Sequence, residues 1–171
     1  MLDRAIENTC VAIIGTGFVG RAWAISFARA GAIVKLWDRD ASAPEKAMNY
    51  IAGVLGQLEQ YDLLRGQTVD TIFSRIRSAA TLELALADAP LAISLVTADQ
   101  ALAAAQECAR LLTPGAIWCD MNSVAPETKR AAGVAVEAAG GRYVDVAVLA
   151  PVDPAGLGVP LLLAGAAALE A

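Results

Sequence analysis

The chain has 171 residues, of which 57% are hydrophobic and 18% are charged, and its formal net charge at pH 7 is −5. This composition predicts one folded domain with a buried core, and the acidic balance argues against nucleic acid or an anionic lipid surface as a partner. No apolar stretch reaches the roughly 18 residues that a membrane span requires, and the N-terminal segment is not typical of a secretory signal, so we expect a cytoplasmic protein without a membrane partner.

The side-chain inventory excludes several kinds of catalytic site. The sequence contains no histidine, which rules out histidine-based triads and dyads and most zinc sites built from imidazole. The three cysteines, Cys10, Cys108 and Cys119, are odd in number and show no Cys-x-x-Cys spacing. We predict buried thiols in a reducing compartment and no metal site.

A glycine-rich hexapeptide follows the first apolar run, residues 11–14, and opens an alanine-rich segment of helical period from about Phe18 to Ala30. The hexapeptide consists of Gly15, Thr16, Gly17, Phe18, Val19 and Gly20. Its first glycine permits a tight turn, its second lets phosphate groups approach the backbone, and its third lets the helix pack closely against the strand. The N–H groups at the helix N-terminus favour an anion. The segment therefore predicts a site for the diphosphate of a dinucleotide.

The next apolar run, residues 33–37, ends in Asp38, which lies 18 residues beyond Gly20. This is close to the spacing of the carboxylate that binds the adenosine ribose in dinucleotide-binding folds. A carboxylate there accepts hydrogen bonds from ribose hydroxyls and repels the 2′-phosphate of NADP, so we predict NAD as the cofactor. Arg39 follows directly and can meet a 2′-phosphate, which leaves NADP open. The alternative is a glycine turn beside a solvated surface aspartate.

A helical excursion separates the second strand from the rest of the sheet. Ser42 is a candidate N-cap for a first helix and Thr68 for a second, each with an apolar stripe. The stripes consist of Met48, Ile51, Leu55 and Leu58, and of Val69, Ile72, Phe73 and Ile76. We expect a short strand within residues 76–81 and a short helix over residues 82–87.

Strands and helices continue to alternate after the excursion. Apolar runs at residues 91–96, 116–119 and 143–148 predict strands with helices between them, and residues 160–164 form one more apolar run. The pattern predicts an α/β fold with a doubly wound parallel sheet, the Rossmann arrangement, and helices on both faces. Ligands of such sheets bind beyond the carboxyl ends of the strands. Val96, Thr97, Asn122 and Ser123 stand at such ends, where they either contact cofactor and substrate or only cap the strands.

The sequence does not single out a catalytic residue. Oxidation of a secondary alcohol needs a base for the hydroxyl proton. Asp120, Asp145 and Asp153 stand near strand ends, but each lacks a companion motif and is better explained as a capping or solvated side chain. Lys129 and Arg130 are the cations nearest to Ser123 in sequence, and we expect them on an exposed helix face.

Two family resemblances cover different parts of the chain. Residues 10–89 resemble the 3-hydroxyacyl-CoA dehydrogenase family through VAIIGTGFVGRAWAISFARAG, VKLWDRD and LGQLEQYDLL. Residues 90–165 resemble the superfamily of 6-phosphogluconate dehydrogenase and 3-hydroxyisobutyrate dehydrogenase through ISLVTADQALAAA, LLTPGAIWCDMNSVAPETKR and EAAGGRYVDVAVLAPV. Both families place an NAD(P)-binding domain before an all-helical domain. The chain is therefore expected to be a natural mosaic, an engineered chimera or a truncated piece.

These resemblances imply the NAD-binding domain of an oxidoreductase that transfers hydride between NAD and the secondary hydroxyl of a small hydroxyacid. They assign the hexapeptide glycines and Asp38 to the cofactor, Val96 and Thr97 to its nicotinamide end, and Ser123 to the substrate carboxylate or hydroxyl. We expect residues 1–171 to form one dinucleotide-binding domain with halves 1–89 and 90–171, without the helical domain.

The chain departs from both families in its catalytic residues. The catalytic histidine of the first family is absent, and the catalytic lysine of the second belongs to a helix beyond residue 171. Leu149, Ala150 and Pro151 stand where the second family often has Ser-Gly-Gly. We expect weak NAD binding, little catalysis and an apolar patch that favours a homodimer. The alternative is a standalone or engineered NAD-binding module without turnover.

Overall fold

The computed structural model describes residues 6–152 and 156–170. The strands within these ranges are β1 Cys10–Ile14, β2 Ile33–Trp37, β3 Ile76–Ser78, β4 Leu91–Ser94, β5 Ile117–Asp120, β6 Arg142–Val148 and β7 Leu161–Ala164. The α-helices are α1 Phe18–Arg29, α2 Ala43–Gln60, α3 Val69–Phe73, α4 Leu82–Leu86, α5 Ala101–Ala109 and α6 Pro126–Ala138. None of these helices combines the length and the apolar character that crossing a bilayer would take.

The strands form one sheet in the order β3-β2-β1-β4-β5-β6-β7. The first six are parallel, and the strand order reverses between the neighbours β1 and β4. This arrangement confirms the predicted doubly wound α/β fold. In such a sheet the connections on either side of the reversal leave a crevice at the carboxyl ends of the two central strands, which is where ligands bind.

The last strand departs from the predicted parallel sheet, because β7 pairs with β6 in the antiparallel sense. Parallel pairing requires a long crossover, usually a helix that packs on the sheet. The described part of the connection between β6 and β7 contains only a short 3-10 turn, Gly156–Gly158. The chain therefore folds back along the edge of the sheet.

Both faces of the sheet are buried, as predicted. Successive β1 side chains point to opposite sides, with Val11 and Ile13 in one core and Ala12 and Ile14 in the other, and all four are fully buried. The first core is covered by α1, α2 and α3, and the second by α4, α5 and α6. The predicted core pair Trp23 and Phe27 lies in the first, with ring centroids 5.6 Å apart.

The helical excursion after β2 is present as α2 and α3. The predicted cap at Thr68 is confirmed, because its Oγ1 accepts a hydrogen bond from the Thr71 N–H at 3.2 Å. The prediction for Ser42 is wrong, since this residue has helical backbone angles and its hydroxyl donates to Asp40 Oδ1 at 2.7 Å instead. Ile76 continues the apolar stripe in sequence, but it pairs with Val34 as the first residue of β3.

Candidate functional site

The glycine turn between β1 and α1 is fixed by close backbone contacts. Gly15 has φ +102°, a conformation that a residue with a side chain adopts only with strain, and a Cβ there would overlap the Leu95 carbonyl. A Cβ on Gly20 would overlap the Gly15 carbonyl. The first and third glycines therefore let the turn and helix pack against the strands, as the spacing predicts.

Gly17 differs from its two neighbours because the space beside it is open. Within residues 6–152 and 156–170, no atom outside its immediate chain neighbours lies within 4 Å of the position that a Cβ would occupy. Gly17 is the N-cap of α1, no side chain caps this end of the helix, and its first turn carries no acidic residue. The first N–H groups of a helix lack partners within the helix. The structure thus presents an uncovered helix N-terminus that suits an anion.

Asp38 follows the end of β2 and binds the glycine turn directly. Its Oδ2 accepts hydrogen bonds from the backbone N–H of Thr16 at 2.8 Å and from the Thr16 hydroxyl at 3.0 Å. Its Oδ1 accepts from the Asp40 N–H at 3.1 Å. A carboxylate has about four acceptor positions. Three of these positions accept hydrogen bonds from the protein, which leaves one on Oδ1 for a ligand hydroxyl. The sequence did not predict that Thr16 would hold the Asp38 carboxylate.

One cavity of about 310 Å³ brings most of the predicted cofactor residues together. Its lining includes Gly15, Gly17, Asp38, Arg39, Val96 and Thr97. Trp37 and Leu95 also line it, and α5 and the turn before it contribute Gln100, Ala104, Glu107 and Cys108. Sequence reasoning missed these four, although their spacing of four, three and one residues places them on one helix face.

A second cavity of about 520 Å³ adjoins the first. The two share Trp37, Asp38, Arg39 and Glu107 in their linings. Arg39 Nη2 forms an ion pair with Glu107 Oε2 at 2.7 Å, and both side chains are about half exposed. This ion pair joins the end of β2 to α5 at the boundary of the two cavities.

Phe18 and Val19, also predicted to contact the cofactor, are exposed on the first turn of α1 and do not line the cavity. The Phe18 ring meets Tyr50 of α2 edge-on, with centroids 6.2 Å apart. Arg21 lies over both rings, and its Nε donates to the Thr16 carbonyl at 2.8 Å. Phe18 and Val19 can therefore contact a ligand at the α1 N-terminus through their backbone N–H groups and not through their side chains.

A buried polar cluster lies at the carboxyl end of β5, against α6 and the first half of β6, and it corrects one prediction. Asp120 is 1% exposed and Lys129 9%. Lys129 Nζ contacts Asp120 Oδ1 at 3.1 Å, donates to the Asp120 carbonyl at 2.8 Å and pairs with Asp145 Oδ1 at 2.8 Å. Lys129 therefore does not lie on an exposed face, whereas Arg130 does. Asp120 is buried, and its Oδ1 accepts from the Asn122 N–H at 3.0 Å, which agrees with the capping alternative and not with the solvated one.

Tyr143 and Asn122 complete this cluster. The Tyr143 hydroxyl donates to Asp120 Oδ2 at 2.8 Å, and burial together with the Asp120 charge raises the pKa of the phenol. Asn122 Nδ2 donates to Asp120 Oδ1 at 2.8 Å and to Ser94 Oγ at 2.9 Å, while its buried Oδ1 has no partner among the residues that the structure describes. Ser123, the next residue, is exposed. Asn122 and Ser123 are adjacent, and neither lines the cavity. The third candidate base, Asp153, is not among the described residues.

The cysteines are free thiols, as predicted. Burial, with the neighbouring charges of Glu107 and Asp120 respectively, raises the pKa of Cys108 and Cys119 to about 12. The pKa of the half-buried Cys10 is also raised, mainly by burial. The thiolate is the nucleophilic form of cysteine, so these side chains are suited to packing rather than to covalent chemistry.

The stretch of chain that contains the glycine turn and Asp38 matches a known family. The family described as 3-hydroxyacyl-CoA dehydrogenase, NAD binding domain, matches residues 10–135, from β1 into α6. The chain belongs to this family. It is an NAD-binding domain, which confirms the predicted cofactor. The match extends beyond the boundary near residue 90 at which the two sequence resemblances meet, and the mosaic or chimeric origin stays a prediction.

Individual relatives of this NAD binding domain cover it to different extents. The L-carnitine dehydrogenase of Streptomyces griseus is 38% identical over 79 residues, which are 46% of the chain and 22% of that protein. A solved conserved hypothetical protein from Sinorhizobium meliloti 1021 is 28% identical with a TM-score of 0.72, over 95% of the chain and 49% of that protein. The 3-hydroxyisobutyrate dehydrogenase of Mycobacterium tuberculosis shares the fold, with a TM-score of 0.69 at 16% identity. The match covers 95% of the chain and 48% of that protein. The chain spans about half the length of these solved proteins.

Proposed function

We propose that this domain holds NAD in the cavity between the glycine turn, Asp38 and α5, as part of a dehydrogenase that acts on the secondary hydroxyl of a 3-hydroxyacid or a 3-hydroxyacyl thioester. The observation that carries the proposal is the open face of Gly17 beside Asp38 in one cavity. The Cβ positions of Gly15 and Gly20 meet backbone atoms, whereas that of Gly17 is open, so this face has room for a diphosphate. Bound NAD supplies the hydride acceptor.

The residues of this chain divide the work of binding. The N–H groups of Phe18 and Val19 at the α1 N-terminus hold the diphosphate. The remaining acceptor position of Asp38 holds a ribose hydroxyl. Val96 and Thr97, beyond the end of β4, line the nicotinamide end. Asn122 and Ser123 lie beyond the end of the neighbouring strand β5, where they orient the substrate hydroxyl or carboxyl group.

The assembly and compartment of the protein are part of the same proposal. Residues 1–171 form one cofactor-binding unit that works with a helical substrate domain. The edge strand β7 exposes Leu161 and Leu162, which supports a homodimer or a covering domain at this edge. The free thiols support the cytoplasm as the compartment.

A second candidate function is an NAD-binding module without turnover. The observation that favours it is the mutual pairing of Asp120, Lys129 and Tyr143, because these titratable groups near the candidate substrate residues already bind each other. The raised pKa of Tyr143 keeps its phenol protonated, so this residue does not act as a base. If the chain with NAD and a panel of 3-hydroxyacids forms no NADH by absorbance at 340 nm, and fusion to helical domains from relatives does not change this, the second function is favoured.

The proposed binding site is tested by titration with NADH. Trp37 lines both cavities, whereas Trp23 and Trp118 are buried. We expect saturable loss of tryptophan fluorescence and growth of reduced-nicotinamide emission, and we expect Trp37→Phe to remove most of this signal. The absence of a saturable signal in isothermal calorimetry as well as in fluorescence, up to millimolar NADH, would contradict the proposal.

The ribose carboxylate gives a sharper prediction. Asp38→Ala should weaken NADH binding by about tenfold, which corresponds to about 1.4 kcal/mol. The ribose would lose a charged hydrogen-bond acceptor, and the glycine turn would lose its hydrogen bonds from Thr16 to Asp38. The calorimetric Kd values for NADH and NADPH measure this. Thr16→Val is the control for bracing, since it removes only one of the hydrogen bonds between the turn and Asp38. An equal loss in both variants would show that Asp38 acts through the turn and not on the ribose.

A further inference from the structure

The ion pair between Arg39 and Glu107 lies where cofactor specificity is decided. Arg39 directly follows Asp38, and in the proposed function Asp38 contacts the adenosine ribose. Glu107 comes from α5 on the other side of the cavity and holds the Arg39 guanidinium at 2.7 Å. Both residues line both cavities. The 2′-position of a ribose held by Asp38 therefore faces this pair.

The charge balance of the pair differs from that of a phosphate-binding arginine. A guanidinium that receives a 2′-phosphate must bring an uncompensated positive charge. Here the lining of the smaller cavity carries two carboxylates, those of Asp38 and Glu107, and one guanidinium, and Glu107 already pairs with that guanidinium. A 2′-phosphate in this space would be attracted by one positive charge and repelled by two negative charges. The local charge therefore opposes NADP although an arginine is present.

We propose that Glu107 is a specificity-determining residue that, by occupying Arg39 and adding a second carboxylate, makes this site select NAD over NADP. The inference rests on the proposed function, because it requires the ribose at Asp38. The strength of the ion pair is not the important quantity, since half-exposed pairs contribute little to stability. The important quantity is the charge that Glu107 places beside the 2′-position, where like charges repel at short range.

The test compares two glutamate variants that change the net charge equally. Glu107→Gln keeps the size of the side chain and removes its charge, and Glu137→Gln does the same at an exposed position of α6 that lines neither cavity. Kd values for NADH and NADPH are measured by calorimetry for both variants and the parent. We expect Glu107→Gln to improve NADPH binding relative to NADH by about tenfold, and Glu137→Gln to change this ratio by less than twofold. The double variant Arg39→Gln, Glu107→Gln should lose most of the gain, because Arg39 is the group that is released.

The outcomes separate this inference from the proposed function. If the parent binds NADH but Glu107→Gln shifts the cofactor ratio no more than Glu137→Gln, Glu107 is not a selector and the proposed function stands. A gain in NADPH binding that persists when Arg39 is also replaced would overturn the claim that Glu107 acts by occupying Arg39. If neither the parent nor any variant binds NADH, the proposed function is wrong and this inference is lost with it.

Discussion

Replacing Gly17 by valine should abolish NADH binding while leaving the fold intact. The backbone of Gly17 is extended, with φ −64° and ψ −174°, which valine also adopts, and nothing lies within 4 Å of its Cβ position. The side chain would enter the space that the diphosphate requires. We expect Kd for NADH to rise by at least about a hundredfold, or about 2.7 kcal/mol. The free energy of unfolding should change by less than about 1 kcal/mol, through the poorer N-cap alone.

Two other glycine variants serve as controls for this prediction, one expected to be neutral and one expected to destabilise the fold. Gly53→Val, at an exposed position of α2 with open space around it, should leave NADH binding unchanged and match or exceed the parent in urea denaturation, because valine is the better helix former. Gly20→Ala should lower the free energy of unfolding by at least about 2 kcal/mol, because its Cβ meets the Gly15 carbonyl. Unimpaired NADH binding by a folded Gly17→Val protein would show that the diphosphate does not lie on this turn.

Replacing Lys129 by methionine should cause the largest loss of stability. Lys129 is the cation of the buried cluster, in contact with Asp120 and Asp145. Removing one partner of a buried ion pair leaves a charge without compensation, which typically costs about 3–5 kcal/mol. Asp120 keeps its hydrogen bonds from Tyr143 and Asn122, so we expect a loss near the lower limit, about 3 kcal/mol. Urea denaturation followed by circular dichroism measures it.

The adjacent residue supplies the control for this prediction. Arg130 is on the same helix with a side chain that is 73% exposed, and Arg130→Met removes the same charge. Its effect on the free energy of unfolding should remain within about 0.5 kcal/mol, as for most surface substitutions. Equal stability of the two variants would mean that Lys129 does not form the buried contacts.

The features that the sequence predicted well depend on residues that are close together in the chain. Gly15 and Gly20 are needed by backbone contacts that recur wherever a strand runs into a helix through a tight turn, so their spacing alone indicates the local geometry. The alternation of β1 side chains between two cores follows from the period of two in a strand. The doubly wound topology follows from the alternation of strands and helices.

The features that it did not predict depend on pairs that are distant in sequence. Arg39 and Glu107 are 68 residues apart, and Tyr143 and Asp120 are 23 apart. A lysine in a helix such as Lys129 is exposed by default, and only the fold shows that it faces two carboxylates. Ser42 does not cap α2 with its side chain because its backbone is helical and not extended, and its oxygen accepts a hydrogen bond from Lys46 Nζ instead. In each case a tertiary or competing hydrogen bond decided the position of a polar side chain.

The acidic lining of the smaller cavity has a consequence for the effect of ionic strength. Sites built from lysine and arginine lose affinity for phosphates as salt is added, because mobile ions screen the attraction. In this chain two carboxylates and one guanidinium line the cavity, and the formal net charge of the whole chain is −5. In the proposed site the diphosphate dianion is bound by uncharged N–H groups. Mobile ions would therefore screen a repulsion, so NADH binding should hold or strengthen as sodium chloride is raised to physiological concentrations.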